Sequence, residues 1–283
     1  MLLHAKPYVD NKIEELKSRV SKLEFTPRLV ILRVDGDVAS EKYVNNKVKR
    51  CEEVGINSDV ILFKQDECQD VIARKIIELN HDIDVTAMLL QLPIPKHLNE
   101  EYLTNLIDPM KDVDGFTIKN TGKLSLGLDC NIACTPRGII DLMKFYDIKI
   151  EGKDVLIINR SNIIGKPLAQ LLLKENATVT IAHSKTRNLE DKIKSSDIVV
   201  TGVGKANFLQ ASNFSNNTTI IDVSINFNEE GKMCGDITKS DYDAIIEKGC
   251  NITPVPNGVG QTTVISLIEQ TIEIAERLER YGN

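Results

Sequence analysis

Short β-branched apolar runs alternate along the chain with longer segments of helical spacing. Residues 28–34 (RLVILRV) form one such run and are predicted to be a strand. Residues 41–54 follow as a helix, with Val44, Val48 and Cys51 at the i, i+4, i+7 spacing of a single face. Ser40 is its expected N-cap and Gly55 stands just past its end. Residues 58–64 predict the next strand, the stretch around 71–79 a helix, and residues 85–92 a buried strand stopped by Pro93 and Pro95. This βαβα order predicts a parallel sheet covered by helices.

Residues 106–138 are rich in Pro, Gly and Asp and read as loops and a domain crossing. A second series then begins. Residues 153–160 predict a strand, 163–176 a helix and 177–183 a strand, with further strands at 196–204 and 218–226. Residues 262–282 predict a long amphipathic helix. No repeat of 20–50 residues is visible. The pattern is that of an α/β protein with two domains, 1–134 together with 260–283, and 135–259.

Composition narrows the partners. Net charge is −6 over 283 residues, which argues against nucleic acid, since such proteins carry a basic footprint. No apolar run approaches the roughly 18 residues of a membrane helix, and the N-terminus lacks a signal-peptide core, so a cytoplasmic protein is expected. The six cysteines form no C-x-x-C pair and only four histidines are present, so no metal site is predicted. Reduced, mostly buried thiols are the expectation, Cys130 and Cys134 included.

Candidate chemistry lies in both halves. In the second, Asn159–Pro167 (NRSNIIGKP) joins a strand to a helix, where a dinucleotide fold places its phosphate loop. Gly165 is the one glycine available for close helix–strand contact. At the end of the next strand, where an NAD site usually carries an acid, stand His183 and Ser184. Arg160, Ser161 and Ser184 with no carboxylate suit a ribose phosphate, and so NADP. The glycine-rich stretch TGVGK (201–205) could approach the nicotinamide or be a plain turn.

In the first half, Tyr43 and Lys47 are i, i+4 neighbours beside the apolar stripe. Glu52 and Glu53 are within reach of Lys49, but nothing anionic lies within one turn of Lys47. Taken alone, Lys47 reads as a solvated lysine. Gln91 ends the third strand at the carboxyl edge, where α/β sheets bind ligands. KDVDGF (111–116) holds Asp112 and Asp114 before Gly115. It fits a turn and fails as a calcium loop, whose first and last ligands would be Met110 and Thr121.

Together these stretches resemble one family, the bifunctional methylenetetrahydrofolate dehydrogenase/methenyltetrahydrofolate cyclohydrolases. The matching pieces are SEKYVNNK (40–47), LLQLPIP (89–95), KDVDGF, CTPRG (134–138), NRSNIIGKP, AHSKT (182–186), VVTGVGK (199–205) and ITPVPNGVGQTT (252–263). They occur in family order over nearly the whole chain.

The resemblance implies a folate-binding catalytic domain, into which the last helix returns, and a Rossmann-like NADP-binding domain. It implies oxidation of methylenetetrahydrofolate by NADP and hydrolysis of the methenyl product to 10-formyltetrahydrofolate. Lys47 is then the key catalytic group, Tyr43 positions the folate, and Gln91 hydrogen-bonds near the lysine and supports its unprotonated form. Asp114 binds the pterin, whose donors suit a carboxylate.

Asn159, Arg160, Ser161, Ser184 and Ile225 then face NADP, and Pro256, Gly258 and Gly260 belong to a folate-side loop. A homodimer is implied, with no nucleic-acid or membrane partner. The sequence departs from the family pattern at Asn159, usually Gly, and at Asn257, Gln261 and Thr262. An Asn tolerates a left-handed turn, so Asn159 is expected to preserve the loop. A dehydrogenase-only enzyme with weakened cyclohydrolase activity and a catalytically silent folate- or nucleotide-binding protein are the alternatives.

Overall fold

The computed structural model describes residues 1–228 and 230–281, in two compact units. One comprises Asn11–Cys134 and the residues from Val264 on; the other comprises Met1–Asp10 and Thr135–Thr263. The chain passes between them within three helices, α1 (Ala5–Val20), α6 (Cys134–Phe145) and α10 (Val259–Tyr281).

The first unit is built on β1 (Arg28–Val34), β2 (Asn57–Phe63) and β3 (Ala87–Leu90), all parallel and ordered β2-β1-β3. α2 (Val38–Val54) and α3 (Gln69–His81) provide the crossovers, and α4 (Glu100–Leu106) and α5 (Ile118–Ser125) follow. Val30, Leu32 and Val34 pack with Ile72, Ile76, Leu79 and Leu103 in a shared core. Each such side chain contributes roughly 1.5–3 kcal/mol by leaving water.

Several local expectations change. The N-cap of α2 is Asp37, whose Oδ1 accepts from the Ser40 amide at 2.6 Å, so the helix starts at Val38. Ser40 lies in its first turn and donates its hydroxyl to the Leu92 carbonyl at 3.4 Å. Glu53 pairs with Arg50 at 2.5 Å. β3 stops at Leu90, leaving Gln91 just beyond its end. α5 lies inside the stretch expected to be loop, because the Thr117 hydroxyl caps it by accepting from the Asn120 amide.

The second unit holds a five-stranded parallel sheet. Its strands are β4 (Asp154–Ile158), β5 (Thr178–Ala182), β6 (Ile198–Thr201), β7 (Thr219–Asp222) and β10 (Asn251–Ile252). They lie in the order β10-β7-β6-β4-β5. α7 (Gly165–Lys174), α8 (Leu189–Lys194) and α9 (Tyr242–Glu247) connect them, and β8 (Asn226–Phe227) and β9 (Met233–Cys234) form a small antiparallel pair. Counted along this unit the order is 2-1-3-4-5, so direction switches between β4 and β6.

The first ten residues group with this unit, unlike the division read from the sequence. Leu2 bridges Ile252, Leu3 N–H donates to the Ile252 carbonyl at 2.8 Å, and Ala5 N–H donates to the Asn257 carbonyl at 2.9 Å. The N-terminal segment thereby pairs with β10 at the sheet edge.

The last helix differs from an amphipathic surface helix: every residue from Thr262 to Ile272 is buried. Except for the Ser266 hydroxyl, its buried polar side chains find partners instead of water, as burial generally requires. Thr262 and Thr263 donate to the Val259 carbonyl, Thr271 to the Leu267 carbonyl, and Glu269 pairs with Lys12 and Arg19. Of the cysteines, Cys51, Cys134 and Cys250 are buried, Cys68 is exposed, and Cys130 and Cys234 lie between. No cluster of three or more metal-binding side chains occurs among the described residues, nor does a helix long and apolar enough to cross a membrane.

Candidate functional site

Lys47 is 3% exposed, although the helix pattern alone reads as a solvated position. It lies on the same side of α2 as Val44 and Cys51, both buried. Its Nζ donates to Gln91 Oε1 at 3.0 Å and stands 5.2 Å from the centre of the Tyr43 ring. Gln91 is oriented in turn by donating Nε2 to the Leu92 carbonyl at 2.7 Å. Tyr43, Lys47 and Gln91 are therefore one cluster, assembled from α2 and the carboxyl end of β3. The lysine ammonium meets an amide oxygen and a ring face, and among the described residues no carboxylate forms an ion pair with it. Burying a charged group without an opposite charge is costly unless hydrogen bonds or a ligand compensate it. The Cys51 thiol, one turn on, is pushed up to about 12 chiefly by burial, with Lys47 opposing.

The two aspartates of KDVDGF have different surroundings. Asp112 is 1% exposed and accepts from the amides of Phe116 and Thr117 and from Asn120 Nδ2. Burial pushes its carboxyl above the usual range, while these donors pull the other way. Asp112 thus braces the turn. Gln270 of α10 holds the next residue, donating Nε2 to the Val113 carbonyl. The segment runs parallel beside β3, with Asp112 bridged to Met88, so Asp114 heads to the same edge as Gln91. Asp114 is half-buried there, outside the Tyr43–Lys47–Gln91 contacts.

In the second unit, Asn159, Arg160 and Ser161 follow β4, and His183 and Ser184 follow β5, its parallel neighbour. Arg160 and Ser184 are exposed. His183 folds the second loop by donating its amide to Thr186 Oγ1 and accepting the Lys185 amide on Nδ1. Gly165 opens α7 against the strand end, and a Cβ there would overlap the Asn159 carbonyl oxygen. Only glycine allows this approach.

Asn159 does not use the left-handed conformation that Asn tolerates, whereas Asn257 does, at φ 81°. The Asn159 side chain works as a brace. Its Oδ1 accepts from the Ser161 amide, the Ser161 hydroxyl and the Gly165 amide, and its Nδ2 donates to the Gly202 carbonyl. It ties the loop after β4 to the loop after β6 across the switch point, where open α/β sheets bind ligands. Ser161 Oγ also accepts from the Ile164 amide, so this hydroxyl is engaged within the loop.

Ile225 is 52% exposed between β7 and β8. Pro256 is exposed, Gly258 buried and Gly260 exposed, at the entry to α10.

The sequence reading passes over two buried carboxylates. Asp222 and Asp236 are both 0% exposed, at the carboxyl end of β7 and just after β9. A signal exists in Gly235, where a Cβ would overlap the Asp222 carboxylate. Burial first, and the Asp236 carboxylate in addition, push the Asp222 carboxyl up to about 7, against the amides of Ile237, Asp236 and Ser224. Tyr242, which also senses Asp222, is pushed up to about 12, mainly by burial.

The folded protein therefore keeps a proton that the unfolded chain releases near 3.8. That contribution to stability is complete below about pH 4 and is lost as pH rises through about 7. The thermal midpoint of the parent, measured relative to Asp222→Asn, is expected to fall across that window and level off above it. A difference independent of pH would contradict this.

A doubly wound parallel sheet with a glycine-tight strand–helix turn, alongside an α/β unit holding a buried lysine, defines the class of nucleotide-dependent α/β enzymes. Comparison with known proteins specifies which. Residues 3–114 match the profile described as "Tetrahydrofolate dehydrogenase/cyclohydrolase, catalytic domain", and residues 133–279 match its "NAD(P)-binding domain". The bifunctional protein FolD of Agathobacter rectalis is 42% identical over 267 residues, 93% of this chain and 95% of that protein. A FolD methylenetetrahydrofolate dehydrogenase/cyclohydrolase structure from Campylobacter jejuni superposes with a TM-score of 0.94 at 38% identity, covering 98% and 99% of the two chains. The Trypanosoma brucei enzyme, solved with NADP and an inhibitor, has a TM-score of 0.92 at 27% identity, covering 99% and 98%. The chain belongs to the tetrahydrofolate dehydrogenase/cyclohydrolase family.

Proposed function

We propose that the protein oxidises 5,10-methylenetetrahydrofolate with NADP and hydrolyses the resulting methenyl form to 10-formyltetrahydrofolate. The observation that carries the reading is the buried Lys47 held between Gln91 and the Tyr43 ring. In this reading 1–134 with 260–283 serve the folate and 135–259 serve the cofactor. The Tyr43 ring positions the pterin, and Asp114, left accessible by Asp112, accepts its N–H donors. Lys47 Nζ handles the proton of the attacking water, oriented by Gln91 Oε1. A side-chain nitrogen within reach of that water can act in general acid–base catalysis. Pro256, Gly258 and Gly260 shape the folate-side loop.

The second unit suits a phosphorylated dinucleotide. Gly165 allows the close approach of helix and strand, and the donors available after β4 and β5 are a guanidinium and a hydroxyl with no acid. NADP, when bound, supplies the hydride acceptor. Arg160 and Ser184 face its ribose phosphate, Asn159 and Ser161 shape the phosphate loop, and Ile225 contacts the cofactor through its backbone. The enzyme is expected to be a cytoplasmic homodimer feeding purine biosynthesis with 10-formyltetrahydrofolate.

A paired assay tests the reading, following NADPH formation and methenyl hydrolysis with NADP and with NAD. Turnover in both steps with a preference for NADP is expected; NADP binding without turnover would refute it. Arg160→Ala is expected to lower the NADP-to-NAD ratio of kcat/KM by about tenfold, the loss of one hydrogen bond to a charged group. An unchanged ratio would remove Arg160 from cofactor selection.

A further inference from the structure

The loop TGVGK after β6 is glycine-rich, and its consecutive amides would ordinarily form a cradle for an anion. Here the cradle is filled from within. Asp236 Oδ2 accepts from the Thr201 hydroxyl and the Val203 amide, both at 2.7 Å. Its Oδ1 accepts from the amides of Gly204 at 3.1 Å and Lys205 at 2.9 Å, and from Asn226 Nδ2 at 3.2 Å. Gly204 makes the wrap possible, with φ at +77°. Its amide is shared with Ser224 Oγ at 3.1 Å, which ties the loop to the segment after β7.

Two consequences follow. The amides of Val203, Gly204 and Lys205 point inward, so this loop does not offer them to a phosphate. The apolar side chain it presents outward is Val203, 42% exposed, next to the exposed Gly204 and Lys205. The neighbouring segment presents Ile225, 52% exposed, next to the Asn226 that Asp236 holds. A fully buried carboxylate thus fixes two segments that each expose an apolar side chain beyond the carboxyl ends of β6 and β7. An apolar surface of this kind suits the flat face of a nicotinamide and not its phosphates.

We propose that Asp236 is a positioning residue for the cofactor half of the reaction, gathering the amides of 203–205 and the Asn226 side chain so that Val203 and Ile225 are held against the nicotinamide. The proposal rests on the reading of the second unit as the NADP site. It assigns no chemical step to Asp236, which is buried and acts through the loops it holds.

Asp236→Asn is the direct test. The amide keeps the size of the carboxylate but turns one acceptor into a donor, facing at least two groups that are themselves donors. Calorimetry with NADP and the two activities are measured on the folded variant, with the hydrolysis of methenyltetrahydrofolate assayed without cofactor. The Kd for NADP is expected to rise at least about tenfold. Dehydrogenase kcat/KM should fall in proportion, with cyclohydrolase kcat/KM within about twofold of the parent.

Thr201→Val removes one donor and leaves the carboxylate. It is expected to shift the Kd in the same direction, by about threefold, and it decides the matter if Asp236→Asn fails to fold. An unchanged Kd for NADP, or equal loss of both activities, would overturn the proposal. Absence of both activities in the parent would instead refute the functional reading, and the change in NADP affinity would still test Asp236.

Discussion

Lys47→Met is expected to abolish cyclohydrolase activity, a loss of about 10²–10⁴-fold if the amine contributes as a general base. Methionine matches the stem in length and is apolar, so it can fill a position only 3% exposed. The substitution removes a buried cation that has an amide oxygen and a ring face for partners, so the fold is expected to survive it. It also leaves Gln91 Oε1 without its lysine donor, a cost smaller than that of stranding a charge. Methenyl hydrolysis followed by absorbance, with circular dichroism to establish folding, is the measurement. Parent-level hydrolysis by a folded variant would remove Lys47 from the chemistry.

Gly165→Ala should have the largest effect on the cofactor side. The new Cβ would overlap the Asn159 carbonyl, which is backbone and cannot swing away. α7 would have to move off the end of β4, disturbing the Gly165 amide bond to Asn159 Oδ1 at 3.1 Å. Overpacking of this kind costs about 1–3 kcal/mol, so the thermal midpoint should fall by several degrees. Dehydrogenase kcat/KM for NADP should drop at least about tenfold, and hydrolysis should be largely kept. Gly122→Ala is the control: it lies in α5, its Cβ would meet nothing within 4 Å, and slight stabilisation is expected. Equal behaviour of the two variants would show that close approach at Gly165 is not required.

Strands β1, β3, β6 and β7 are legible because burial on both faces leaves a continuous apolar run, and β1 appears with the bounds its run predicts. Helices α1, α4, α6, α8 and α9 were less so, being short or carrying mixed faces whose spacing does not stand out. From sequence α10 reads as amphipathic because its hydroxyls, Glu269 and Gln270 count as polar. The burial of Glu269 and Gln270 depends on Lys12, Arg19 and Val113, more than 100 residues away in the sequence. The N-terminal segment joined the second unit for the same reason: its partner, Ile252, is remote.

The sequence by itself determined the α/β class, the two-part order and the residues from which the candidate site is made, because periodicity and local turn chemistry are properties of neighbours along the chain. Lys47 shows what it left open. Nothing within one helical turn distinguishes a surface lysine from a buried one, and the difference is made by Gln91, 44 positions on, brought alongside when β3 pairs with β1. Asp236 shows the same for the second unit, since its first partner, Thr201, is 35 positions back. Burial and partnership depend on which remote segments meet, and only the tertiary structure decided that.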